Sequence, residues 1–223
     1  FLDHPNLIRL NPNVPWKTRG NGAVCLRIES DLDSKVILEL ATEEIERSSR
    51  LGDPETDPGV VMLEGTIPSD VLELSAEALT RIVTPSKAMS VIRSAGAEAL
   101  GYGSAQGIIG ALAAIGTVLD GDYTFELIAY RSKQFIGKPR LVDKRSVFQM
   151  SEEMKELTYN NMDPETGRVL ITPRGRDPIL CGVRGESPEA VRKAFEMLRI
   201  EEPVDAWMIF RTNQGTDAHL VRN

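Results

Sequence analysis

Leu7-Ile-Arg-Leu-Asn-Pro-Asn-Val-Pro-Trp-Lys-Thr-Arg-Gly-Asn-Gly-Ala-Val24 is the stretch on which the reading of this chain turns. A short strand, Leu7 to Leu10, runs into a loop pinned by Pro12 and Pro15, and a second strand opens at Ala23. Between them stand Lys17, Arg19, Gly20, Asn21 and Gly22. Two cations of different geometry flank glycines whose backbone N–H groups no side chain obstructs, which is what a phosphate or a nucleic-acid backbone requires. A solvated turn with incidental charges uses the same residues. Strand, glycine loop and strand, followed by alternating helical and extended patterns, predict an α/β (α+β) class of fold.

Downstream, Ala23 to Ile28 reads as β, and Asp31 or Asp33 caps a helical pattern through Arg50 with Val36, Ile37, Leu40, Ala41 and Ile45 on one face. Gly52 to Gly59 is a turn-rich loop whose Asp53, Glu55 and Asp57 suit either a cationic substrate or a polar turn. A strand follows at Val60 to Leu63, then helices from Pro68 to about Val83 and from Ser86 to Leu100. The glycine-rich segment Gly101 to Gly107 leads into a helix from Ile108 to Leu119. Such an entry can bind phosphate, but close helix packing explains Gly107, Gly110, Ala111 and Ala114 better. Tyr123 to Tyr130 is a strand, and the turn Gly137-Lys-Pro139 marks a boundary. Beyond it come a helix (Ser146 to Thr158), a turn (Asp163 to Gly167), strands at Val169 to Thr172 and Ile179 to Val183, a helix at Ser187 to Leu198 and a strand at Ala206 to Thr212. That alternation argues for a two-layer α/β or ferredoxin-like sheet.

With 223 residues and 41% hydrophobic content, the chain can bury a sizeable core in one large or two small domains. No apolar run approaches the roughly 20 residues of a membrane-spanning helix, and a cytoplasmic location is expected. Cys25 and Cys181 read as core thiols, and two histidines are too few to propose a metal site. The net charge of −7 speaks against nucleic acid until its distribution is read. Glu29 to Asp57 holds ten acidic residues against three basic ones, a difference of seven that accounts for the whole imbalance. Arg131 to Arg145 carries Arg131, Lys133, Lys138, Arg140, Lys144 and Arg145 against Asp143 alone, as either a positive patch or a solvated connection.

Gly182-Val-Arg-Gly-Glu-Ser187 places Arg184 and Gly185 where a strand ends and a helix begins, so that N–H donors and a guanidinium can converge on an anion. Glu186 suits a magnesium ion or a cationic amine. Asn213 to His219 gathers amide, hydroxyl, carboxylate and imidazole in seven residues, with Asp217 and His219 as its acid–base pair.

The run RLNPxxPxKTRGNGA resembles the first conserved block after the N-terminal helix of the archaeal tRNA 2-agmatinylcytidine synthetases, or agmatidine synthases. Gly107 to Gly116, Glu126 to Arg131, Gly182 to Ser187 and Phe210 to Leu220 are similar to further blocks of that family, in the family's order. The resemblance covers nearly the whole chain. It departs in lacking the family's opening strand with its Asp-Asp-Thr-Asp motif, and its OB-fold and zinc ribbon, so a fragment of a longer protein is expected. The fold implied is a kinase-like α/β domain over 1–140, for nucleotide binding and phosphoryl transfer, followed by the ferredoxin-like domain over 141–223.

The resemblance implies an ATP- and Mg2+-dependent ligase that joins agmatine to C2 of the wobble cytidine in the isoleucine tRNA with anticodon CAU. The cytidine O2 is first phosphorylated and then displaced by the agmatine amine. Lys17, Arg19, Gly20, Asn21, Gly22, Arg184 and Gly185 are then expected at the nucleotide phosphates. Glu186, Asn213 and Asp217 are expected at agmatine, with His219 as candidate base. The family's catalytic aspartates and phosphorylated threonine lie in the motif not found here, so no residue of this chain inherits those roles. The competing expectation is a non-catalytic RNA- or nucleotide-binding module.

Overall fold

The computed structural model describes residues 1–17, 21–121, 123–130, 141–159, 171–174, 177–201 and 206–213. Arg19, Gly20, the basic stretch 131–140 with its turn, the turn at 163–167, Asp217 and His219 lie outside the described residues. The chain is α/β and divides into two compact units, Phe1–Val118 and Leu119–Asn223.

In the first unit, β1 (Asn6–Arg9) pairs antiparallel with β2 (Gly22–Cys25), with Leu7 opposite Val24. The strand expected to continue to Ile28 stops at Cys25, because its partner residue, Asn6, is the first of β1. Helix α1 (Ser34–Ser48) starts where Asp33 accepts the N–H of Lys35 at 2.9 Å. Its expected apolar face is only half covered: Ile37, Ala41 and Ile45 are partly buried, while Leu40 is 57% exposed. The second strand pair is β3 (Gly59–Met62) with β4 (Glu98–Gly101). Between them run α2 (Ser69–Thr80) and α3 (Pro85–Ser94). The sequence pattern carried α3 through to Leu100. The helix ends instead at Ser94, just before Gly96, whose φ of +66° suits glycine, and the N–H of Ala97 reaches back to the carbonyl of Ile92 at 3.0 Å.

The last helix of the unit, α4 (Gly107–Gly116), is apolar all round and sits at its centre. Ile108, Leu112 and Ala113 join Val71, Leu74, Ala78, Val83, Ala88 and Ile92 in one core. Its small residues allow that approach, since a Cβ on Gly107 would stand 2.4 Å from the backbone of Asp57 and Gly59.

The second unit begins before the boundary expected at 140. Strand β5 (Thr124–Tyr130) is its central strand, and α5 (Lys144–Glu153) and β6 (Thr158–Tyr159) follow. A hairpin of β7 (Ile171–Arg174) and β8 (Asp177–Leu180) precedes β9 (Gly182–Gly185), α6 (Pro188–Met197) and β10 (Ala206–Thr212). The single strand expected from Ile179 to Val183 is thus two, parted at Cys181. Likewise the helix expected to reach Thr158 ends at Glu153, and Thr158 pairs with Gly185.

Within this unit the strands lie in the order β10, β5, β9, β6, all antiparallel. A β-α-β-β-α-β path through that order is the ferredoxin-like arrangement. Both helices pack on one face, where Val147, Met150 and Met154 of α5 and its end meet Ala190 and Ala194 of α6 over Ala129 and Val183. Both cysteines, expected in the core, are free and only partly buried.

Candidate nucleotide and substrate sites

The loop after β1 is held at its root by two asparagines. Buried Asn11 accepts the N–H of Asn13 on its side chain at 2.9 Å and donates its own N–H to the carbonyl of Ala78 in α2 at 3.2 Å. Its carbonyl accepts the Asn21 side-chain amide at 2.6 Å, and the Asn21 carbonyl accepts the N–H of Leu10 at 2.8 Å. Asn21 has φ +33°, a left-handed conformation that asparagine tolerates better than most residues. Its amide therefore faces inward and shapes the loop, although the sequence suggested a phosphate ligand. Lys17 is exposed. So is the neighbouring Trp16, at 64%.

Sequence reasoning missed Arg9. Its guanidinium lies beside Gly22, with one nitrogen 3.4 Å from where a Cβ on that glycine would sit. The pairing of Arg9 with Gly22 across β1 and β2 brings this cation to the glycine end of the loop. Its place in the RLNPxxP block was the available signal.

The glycine-rich entry to α4 is occupied by the protein itself. Asp57 accepts a hydrogen bond from the Ser104 hydroxyl, and a Cβ on Gly103 (φ +56°) would meet the Asp57 carboxylate at 1.8 Å. A phosphate here would face a resident carboxylate. Asp53 is spent on its own turn, accepting the N–H of Glu55 at 3.0 Å. The polar-turn reading of the 52–59 loop thus accounts for Asp53, while Asp57 is taken up by Ser104 at the entry to α4.

In the second unit Arg184 does not present its guanidinium to solvent. It is 3% exposed and bonds across the sheet to Glu126, 2% exposed, at 3.1 Å. The two residues are register partners on β9 and β5. A surface anion site was expected at Arg184; a buried ion pair is found, because the strand continues one residue past it and its side chain falls on an enclosed face. Gly185 is buried too, since a Cβ there would stand 2.8 Å from the carbonyl of Leu157.

Glu186 is exposed at the end of β9, its N–H bonded to the Leu157 carbonyl at 3.0 Å. Ser187 then caps α6 by accepting the N–H of Ala190 at 3.0 Å. Asn213 follows β10 directly and is half-buried. Gly185 pairs with Phe125 and Phe125 with Arg211, so Glu186 and Asn213 emerge at one end of the sheet, two strand spacings or about 10 Å apart. Arg211 lies over the Tyr123 ring at 4.4 Å and donates to the carbonyl of Leu119 at 2.8 Å at that same end. A carboxylate and an amide so placed can receive a cationic group.

Residues 105–219 match the family model described as the TiaS FLD domain, and residues 1–33 match that of the TiaS TCKD domain. The isoleucine-tRNA 2-agmatinylcytidine synthetase TiaS of Ignisphaera aggregans is 42% identical over 234 residues, 99% of this chain and 50% of that protein. Its counterpart in Thermococcus sibiricus is 44% identical over 220 residues, 98% and 51% respectively. The crystal structure of TiaS in complex with its isoleucine tRNA and ATP is similar with a TM-score of 0.83 at 39% identity, covering 95% of this chain and 50% of that one. For the complex of TiaS with the same tRNA, AMPCPP and agmatine the TM-score is 0.81 at 37% identity, over 95% and 51%. The chain spans about half the length of the curated relatives it matches.

Proposed function

The chain belongs to the TiaS family, and from that premise we propose that it forms the nucleotide- and agmatine-binding body of an ATP-dependent ligase acting on tRNA. The reaction is the joining of agmatine to C2 of the wobble cytidine in the isoleucine tRNA with anticodon CAU, after phosphorylation of the cytidine O2. The observation that carries the reading is identity above 40% across essentially the whole chain with proteins of that name.

Lys17, with Arg19, Gly20 and Gly22 on the same loop, receives the triphosphate, and the inward amide of Asn21 keeps that loop in shape. Glu186, Asn213 and Asp217 receive agmatine, a dication that requires carboxylates. Its attacking ammonium group must first lose a proton, for which His219 is the acceptor. Arg184 and Gly185 act from behind, fixing the strand end that carries Glu186. Among the described residues no group of three or more His, Cys, Asp or Glu side chains stands ready to hold a metal ion. Magnesium is taken to arrive on the triphosphate, its usual mode. No described helix is long and apolar enough to cross a membrane.

Calorimetry with ATP and with agmatine tests the assignment. Lys17→Ala weakens ATP binding, and Glu186→Gln or Asp217→Asn weakens agmatine binding alone. Each loss is about 1.5–3 kcal/mol, the scale of a hydrogen bond to a charged group, or roughly 10- to 150-fold in Kd. A non-catalytic RNA- or nucleotide-binding module would use Lys17 but have no affinity for agmatine, so wild-type indifference to agmatine would decide for that reading.

A further inference from the structure

We propose that Trp16 is a stacking platform for an unpaired base of the RNA substrate, an inference that rests on the reading of this chain as a tRNA-modifying body. Tryptophan is, on average, among the more deeply buried residues, yet this indole is 64% exposed. Pro15 precedes it, and Asn11, five residues before it, is bonded to Asn21 and to Ala78 of α2. The next residue, Lys17, is exposed as well.

An exposed aromatic face is the unit on which single-stranded nucleic-acid sites stack their unpaired bases. The adenine of ATP is the competing flat ring. Small-ligand sites enclose 70–90% of their ligand in a concavity, as a rough rule, and an indole with most of its surface in solvent does not line such a pocket. An extruded RNA base, held by its own backbone, needs only the face.

The test uses the full 223-residue chain, an unmodified transcript of the isoleucine tRNA with anticodon CAU, and ATP as a separate ligand. Trp16→Ala is expected to weaken transcript binding about 5- to 150-fold, the range for one base–aromatic stack, with ATP affinity unchanged. Trp16→Phe recovers most of the loss. Stacking releases no counterions, so the salt dependence of transcript binding stays the same in Trp16→Ala.

The chain has two tryptophans. In a Trp207→Phe background the emission of Trp16 is therefore isolated, and the transcript is expected to quench it. That signal decides the matter even if Trp16→Ala misfolds. Unquenched emission, unchanged transcript affinity in Trp16→Ala, or a parallel fall in ATP affinity overturns the proposal. A wild-type chain that binds ATP and agmatine but no transcript sinks the stacking role while leaving the ligase reading intact.

Discussion

Arg184 shows how far a single residue can be read from its neighbours in sequence. A Gly-x-Arg-Gly between strand and helix promises an open guanidinium, and nothing nearby contradicts it; the contradiction comes from Glu126, 58 positions upstream. Once both charges are taken out of water, each needs the other, and removing one leaves an uncompensated ion. Glu126→Ala is expected to cost about 3–5 kcal/mol of stability in urea unfolding, and Arg184→Met a similar amount. The double variant Glu126→Leu, Arg184→Met should lose clearly less than the sum, because two apolar side chains of similar bulk can replace a buried pair at little net cost. Additive losses would show that the two side chains act independently. Asn21 has a residue type that suits a ligand-binding loop, and its side-chain amide is given to the Asn11 carbonyl. The exposure of Glu186 was legible, since a carboxylate just beyond a buried strand end has nowhere to go but outward.

At the scale of elements, the strongly periodic helices and the long strands β5 and β10 were legible, and the short pieces at their ends were not. Ala97-Glu-Ala-Leu100 favours helix by propensity, and Glu98–Gly101 is nevertheless a strand because β3 pairs with it. The same override converts Thr158 from helix to strand opposite Gly185. In α4 the glycines were rightly read as packing devices, and the structure supplies the reason. Glycine to alanine within a helix ordinarily stabilises by about 1 kcal/mol. At Gly107 the sign should reverse, because the new methyl would fall 2.4–2.5 Å from backbone atoms of Asp57, Pro58 and Gly59, none of which can swing aside as a side chain would. A loss of about 1–3 kcal/mol or more is expected. Gly52→Ala, with nothing within 4 Å of its methyl, is the control and should leave the unfolding midpoint where it is. A midpoint for Gly107→Ala equal to or above wild type would refute the close contact.

For the whole molecule, the α/β class and a ferredoxin-like second half could be read from the sequence, but their dividing line could not. Glycine, proline and a run of cations around 137–140 have the composition of a linker, whereas the two compact units part between Val118 and Leu119, beside the equally turn-like Asp120-Gly121, and composition alone does not rank the two places. The divide is set by which partners β5 finds, and pairing partners far along the chain leave no local mark. Overall charge was similarly uninformative until it was resolved into segments, since the acidic excess belongs to α1 and its flanks. The position of α4 has a practical bearing on anyone who would take the protein apart. The family model opens at residue 105, and scissors guided by it would leave 1–104 with a trough where Ile108, Leu112 and Ala113 belong, while the other piece carried an oily helix with nothing to sheathe it. Cut at 118, the first piece keeps its keystone. Residues 1–118 should stay dispersed and melt cooperatively, and 1–104 should clump or light up a hydrophobic dye; identical behaviour of the two would mean that the helix is cargo, not masonry.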